Sequence, residues 1–183
     1  PQGPGDRTLW IANPGTDDTT VRIQLTTANG QYVPVGMEDV DVPAGSTRAV
    51  LLGGIAVDSP LTAVVSSEGA PIIAGGFVSD RQGIGSVSEF ALSGGSLPLS
   101  GPALITDLVI DRPTESTLIL TALEQAATVM VTPIQVVGAA GSLPKPKTVQ
   151  VPAGRTVALR LSTFYPPGTQ TRLAVEVSTT PGS

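Results

Sequence analysis

Asp41-Val42-Pro43-Ala44-Gly45-Ser46-Thr47-Arg48-Ala49-Val50-Leu51-Leu52 returns later in the chain as Gln150-Val151-Pro152-Ala153-Gly154-Arg155-Thr156-Val157-Ala158-Leu159-Arg160-Leu161, a shift of 109 positions (151 minus 42). The same shift carries Thr8-Leu9-Trp10-Ile11 onto Thr117-Leu118-Ile119-Leu120, so two separate landmarks agree on one register. In each Val-Pro-Ala-Gly the proline presets φ for a tight turn and the glycine supplies a position of positive φ. β-Branched and aliphatic residues on both sides make the stretch a strand, a turn and a strand. A hairpin used twice predicts two modules of one design, with Val42 and Val151, and Val50 and Leu159, facing their respective cores.

Upstream of the first hairpin, Arg7 to Ala12 reads as a strand stopped by Asn13-Pro14-Gly15. Val21, Ile23 and Leu25 then alternate with Arg22, Gln24 and Thr26, the period of a strand with one buried face. Leu61 to Ser66 and Pro71 to Val78 supply further strands, the second with glycines that suggest a bulge or a close backbone approach. Val87 to Leu92 adds one more. The breaker-rich stretch 94–102 reads as a linker between a first module, 1–93, and a second, 103–183. In the second module Ala127 to Val136 matches the alternating strand and Arg172 to Val177 matches Leu61 to Ser66. It shows no counterpart of Pro71 to Val78, and the first module shows none of Ala103 to Ile110, as expected of an excised piece or of strands exchanged between modules. Around Leu123 to Ala126 a short helical turn is the one helical alternative, opposed by Val129, Met130, Val131 and Pro133.

These readings predict an all-β chain of two tandem immunoglobulin-like β-sandwich modules related by an internal repeat, each close to the usual size of such a sandwich. Composition agrees: 40% hydrophobic residues exclude a disordered tail, and 21 Gly with 17 Pro interrupt any long helix. The net charge of −5, with eight Arg and two Lys scattered along the chain, leaves no basic stripe for nucleic acid. No apolar run approaches the roughly 20 residues of a membrane helix, so no membrane insertion is expected. Beginning at Pro1 with no signal-peptide pattern, the chain is expected to be a piece of a longer protein.

Chemistry is constrained by what the sequence omits. With no His and no Cys, the common general base, the serine-protease relay, thiol nucleophiles and the usual zinc ligands are all missing. A carboxylate-pair glycosidase needs only two acids, but nothing pairs any two of the fifteen. Glu38, Asp39 and Asp41, with Asp17-Asp18, are hard oxygen donors of the kind calcium takes, yet they lack the EF-hand spacing and are read as solvated loop charges. Gly83-Ile84-Gly85 and Gly94-Gly95 are not followed by a helix that would cradle phosphate. No catalytic residue, metal or cofactor is therefore expected.

Aromatic residues are few. Trp10, Tyr32 and the Phe164-Tyr165 loop are the rings that could stack on a sugar, each read first as covering its own sandwich; Trp10, Phe164 and Tyr165, with Ile119, the counterpart of Trp10, are the candidate interaction surface. Strand alternation places Leu9 and Ile11 on one face and Trp10 on the other, and repeats this with Leu118, Leu120 and Ile119. Large apolar side chains at matched outward positions suggest a covered face, with cover by the neighbouring module or a returning terminal strand expected before cover by a partner chain; the partners expected of the chain are a protein or an envelope glycan.

Leu9-Trp10-Ile11-Ala12-Asn13-Pro14-Gly15, the alternating strand from Thr20, the Val-Pro-Ala-Gly turns and Glu89-Phe90-Ala91-Leu92 resemble a family of actinobacterial exported, envelope-associated β-sandwich domains of unknown function. That resemblance implies an extracytoplasmic location and no assigned catalytic residue. The expected role is a non-catalytic structural or interaction module of a cell-envelope protein. A carbohydrate-binding module is the alternative, and a carboxylate-dependent hydrolase a distant third.

Overall fold

The structure, a computed structural model, describes residues 7–52, 60–80, 89–109, 116–136, 142–165 and 172–179. The chain is all-β and antiparallel. In order, the described strands are β1 (Arg7–Ala12), β2 (Thr19–Thr27), β3 (Gly30–Tyr32), β4 (Val40–Val42), β5 (Thr47–Leu51), β6 (Thr62–Ser67), β7 (Ile73–Asp80), β8 (Glu89–Gly94), β9 (Ala103–Val109), β10 (Thr117–Ala122), β11 (Ala127–Ile134), β12 (Lys147–Val151), β13 (Arg155–Arg160) and β14 (Arg172–Thr179). One helical turn, α1 (Leu161–Phe164), follows β13. The helical turn considered at Leu123 to Ala126 is not formed: those residues make a bend between β10 and β11.

Two compact units divide the chain, Pro1–Leu25 with Gln31–Leu97, and Thr26–Gly30 with Pro98–Ser183. The first contains a sheet ordered β5-β1-β7-β8 and a second ordered β3-β2-β4, with β6 also paired to β2. Its core draws Leu9 and Ile11 from one sheet and Val21, Ile23, Leu25, Val40 and Val42 from the other, as sheet-on-sheet packing requires. In the second unit the sheets are β10-β13 and β12-β11-β14-β9. There Leu118 and Leu120 meet Val129, Val131, Val149, Val151, Val175 and Val177. Val50 and Leu159 pack against these cores.

The repeat extends to bonding geometry. Trp10 pairs with Ala49 and Ile119 with Ala158, both residues shifted by 109 (119 minus 10, 158 minus 49). Gly45 and Gly154 take φ of 64° and 65°, the left-handed conformation that a side chain resists. Ser46 N–H donates to Pro43 O, and Arg155 N–H to Pro152 O. Leu52 N–H donates to Arg7 O, and Leu161 N–H to Ser116 O. Between β1 and β2 the shift falls to 108: Thr19 pairs with Val42 where Ala127 pairs with Val151 (127 minus 19, 151 minus 42). The second unit thus turns with one residue fewer.

That extra length in the first unit holds a buried polar knot. Asn13, fully buried, donates from Nδ2 to the carbonyls of Asp17 and Val42 and accepts from Gly15 N–H at Oδ1. Asp18 accepts from Ala44 N–H and Gly15 O from Gly45 N–H, so the Asn-Pro-Gly loop is tied to the Pro-Ala-Gly turn.

Pro133 sits inside β11, where a missing N–H ordinarily breaks a ladder. It is tolerated because β12 last pairs at Val131 and Lys147, leaving β14 as the partner strand opposite Pro133. The polar interruption at Thr106-Asp107 is a bulge in β9: Leu108 pairs with Leu173 and Ile105 with Val175, and Asp107 has φ of 57°.

Candidate interaction surface

β1 sends Leu9 and Ile11 inward and leaves Trp10 48% exposed. The register identifies what shares its face, since residues opposite one another across antiparallel strands point the same way. Trp10 lies between Ala49 of β5 and Gly75 of β7. One row away run Leu51, Thr8, Phe77 and Leu92, and on the other side Thr47, Ala12 and Ile73. Leu51 and Ile73 are exposed, and Leu92 is 72% exposed. Arg7 and Arg48 fall on the alternate positions, so among the described side chains this face carries no charge. An uncharged, clustered apolar face is the kind of surface that marks an interaction site, whereas single exposed apolar residues are ordinary.

Ile119 occupies the matched position in the second unit and is 46% exposed. Its face differs in chemistry. Ile119 and Ala158 are flanked by Thr117 with Arg160 and by Thr121 with Thr156. Thr156 is buried: its hydroxyl shares a 3.0 Å hydrogen bond with Thr121 Oγ1 and donates to Thr26 O within the same unit. Arg155 Nη1 donates to Ala28 O. Trp10 and Ile119 are each about half exposed, and among the described residues β7 extends the β1 sheet sideways beside Trp10.

Tyr165 is a correction. Named with Phe164 as a candidate contact residue, it is only 1% exposed and belongs to the second core. α1 causes this: the turn brings Tyr165 N–H onto Leu161 O at 2.9 Å and folds the ring inward, with the Lys147 ammonium 5.6 Å from the ring centroid. Burial pushes the phenol up to about 12. The side chain of Phe164 lies outside the described residues.

Three of the five acidic side chains considered for calcium, Asp18, Glu38 and Asp41, are engaged locally. Glu38 accepts from Gly36 N–H at 2.8 Å, and its carboxyl is held below the usual range chiefly by the backbone amide of Glu38 itself, with those of Gly36 and Met37 and the Arg22 charge adding to it against the opposing effect of desolvation. Asp18 takes Ala44 N–H, and Asp41 takes the Thr20 hydroxyl. No group of three or more metal-binding side chains occurs among the described residues. No helix of the described chain is long and apolar enough to cross a membrane.

Trp10 was legible as an outward residue, but Leu51, Ile73 and Leu92 were not recognised as its companions. Their grouping depends on pairing across four strands, a relation that strand alternation alone does not supply. The signal available was weaker: Ile73, Gly75 and Phe77 alternate within one segment.

Fold and face together define an antiparallel all-β protein with an apolar sheet surface. The chain belongs to the DUF5719 family, a family of unknown function, whose family model matches residues 1–162 and so takes in both Pro-Ala-Gly turns. No curated protein matches the chain. No solved structure matches it.

Proposed function

We propose that this chain is a non-catalytic interaction module, built as two immunoglobulin-like sandwiches, that works outside the cytoplasmic membrane in an actinobacterial envelope-associated protein. The single observation that carries the interaction role is the uncharged outer face centred on Trp10, with Leu51, Ile73 and Leu92 around it. The envelope location rests on the sequence resemblance.

A protein partner suits this face better than a glycan. Sugar sites combine a stacking ring with several convergent hydrogen-bonding groups, whereas the described rows beside Trp10 hold Ala49, Gly75, Leu51, Ile73, Leu92 and Phe77, with one exposed hydroxyl, Thr47, and Thr8 buried. Burial of Tyr165 also removes one of the candidate rings on which a sugar would stack.

Immobilised chain is to be exposed to solubilised actinobacterial envelope fractions that are untreated, protease-digested or periodate-oxidised. The expected result is retention of a defined component that protease removes, periodate spares, and the double variant Trp10→Ala, Leu92→Ser no longer retains. Loss on periodate treatment alone transfers the face to the glycan reading. Equal retention by the double variant, or glycan turnover abolished by changing one Asp or Glu, overturns the proposal.

A further inference from the structure

The chain contains two asparagines, Asn13 and Asn29, and the fold treats them in opposite ways. Asn13 is buried, both ends of its carboxamide are hydrogen-bonded, and the next residue is Pro14, whose nitrogen carries no proton. Asn29 is exposed in the short turn Ala28-Asn29 between β2 and β3. Its backbone N–H donates to Thr27 Oγ1 at 3.1 Å, while its carboxamide makes no hydrogen bond among the described residues. Gly30 follows with φ of 145°, a conformation that a side chain resists. The turn therefore requires, immediately after Asn29, the one residue type that leaves the next peptide nitrogen sterically open.

A cation stands over the same peptide. Arg155 Nη1 donates to Ala28 O at 3.1 Å and lies 3.8 Å from the point where a Cβ on Gly30 would stand. Arg155 holds the place that Ser46 holds in the first copy of the repeat (155 minus 46 is 109), so the charge belongs to the second hairpin alone. A positive charge so close favours an anionic nitrogen at Gly30 over the neutral amide.

We infer that Asn29 is a site of spontaneous covalent modification, with water as the co-reactant. The Gly30 nitrogen gives its proton to solvent and attacks Cγ of Asn29. A new N–C bond closes a cyclic imide as the bond from Cγ to the side-chain nitrogen breaks, and that nitrogen leaves as ammonia after taking a proton from solvent. Water then opens the ring at either carbonyl, giving aspartate or, with the main chain rerouted through Cγ, isoaspartate. The net change is asparagine plus water to a carboxylic acid plus ammonia, with no oxidation or reduction. Either product places a carboxylate in the turn that the Arg155 guanidinium already touches, and isoaspartate also lengthens the main chain there. Asn13 is exempt, since Pro14 has no N–H to lose and its carboxamide is held by three hydrogen bonds. The site is independent of the Trp10 face.

The test follows the full chain during incubation, folded and in parallel unfolded in urea. Trypsin separates the two asparagines, because cleavage after Arg7, Arg22 and Arg48 leaves Asn13 in residues 8–22 and Asn29 in residues 23–48. Mass spectrometry with electron-transfer fragmentation distinguishes asparagine, aspartate and isoaspartate. In the folded chain conversion is expected in 23–48, with both acids formed, and none in 8–22 over the same period. Arg155→Gln should slow the conversion by about threefold in the folded chain and leave the rate in urea unchanged. Should that variant fail to fold, raising the salt concentration around the folded parent chain is expected to give a slowing of the same kind by screening. The inference is overturned if Asn29 persists as long as Asn13, or if aspartate forms without isoaspartate. It is also overturned if removal or screening of the Arg155 charge leaves the folded chain's rate unchanged or raises it, or if Arg155→Gln acts equally in urea.

Discussion

Asn13 donates a 3.0 Å hydrogen bond from Nδ2 to the carbonyl of Val42, 29 residues away and out of contact with water. That bond fastens the loop after the first strand to the strand that enters the Pro-Ala-Gly turn. Asn13→Ala leaves the Val42 and Asp17 carbonyls and the Gly15 amide without this partner, and burial makes such groups expensive. A loss of about 2 to 3 kcal/mol in urea denaturation is expected. A loss below about 0.5 kcal/mol would show that the knot closes around water at no penalty.

Gly45 and Gly154 should respond alike to Ala. Each has a φ near 65°, and a methyl group at Gly45 meets nothing within 4 Å, so the effect there is one of backbone conformation alone. Each substitution is expected to destabilise by about 1 to 2 kcal/mol. Thermal unfolding of the two variants checks this, and a substitution that stabilises the chain would contradict the shared turn geometry.

Much of this architecture was legible in the sequence. The hub turns announced themselves because proline and glycine constrain the backbone locally, and the alternation of Val21, Ile23 and Leu25 gave a buried face without reference to any other strand. Asn13 was readable as a strand stop but not as a buried hub, since its value lies in partners such as Val42. Tyr165 was misread because α1 reverses its direction, and Leu161 to Phe164 carries no capping side chain to announce a helical turn. The grouping of Thr26–Gly30 with the second unit, through Thr156 and Arg155, likewise depends on long-range contacts that the local alternation of β2 does not encode. For the interaction face, the sequence placed Trp10 outward and left its neighbours to the register.

Alkaline pH should weaken the second unit. Tyr165 is pushed up to about 12 from an ordinary value of 10.0 by burial, so the unfolded chain releases its proton first as pH rises. The contribution is fully present below pH 10 and is lost progressively as pH climbs towards 12. Denaturant midpoints for the parent chain and Tyr165→Phe across that range should diverge, with the parent falling more steeply. Parallel profiles would mean that the phenol ionises as easily in the folded chain as in the unfolded one.

Trp10 and Ile11 are neighbours with opposite roles. Ile11 is fully buried, and Ile11→Ala is expected to cost about 2 to 5 kcal/mol. Trp10→Ala removes a ring that is about half exposed and should cost under about 1 kcal/mol by the same denaturation measurement. Equal losses would make Trp10 a packing residue and withdraw the reason for reading its face as a contact surface.

Because Trp10 is the sole tryptophan, it can report directly on that face. In chain labelled with 5-fluorotryptophan, fluorine NMR should give a resonance with a clear solvent-isotope shift when the chain is free. Addition of solubilised envelope fraction should shift or broaden it and reduce the isotope effect, with no change on addition of duplex DNA. A resonance already shielded from water in the free chain, or one indifferent to the envelope fraction, would contradict the assignment of the Trp10 face as the interaction surface.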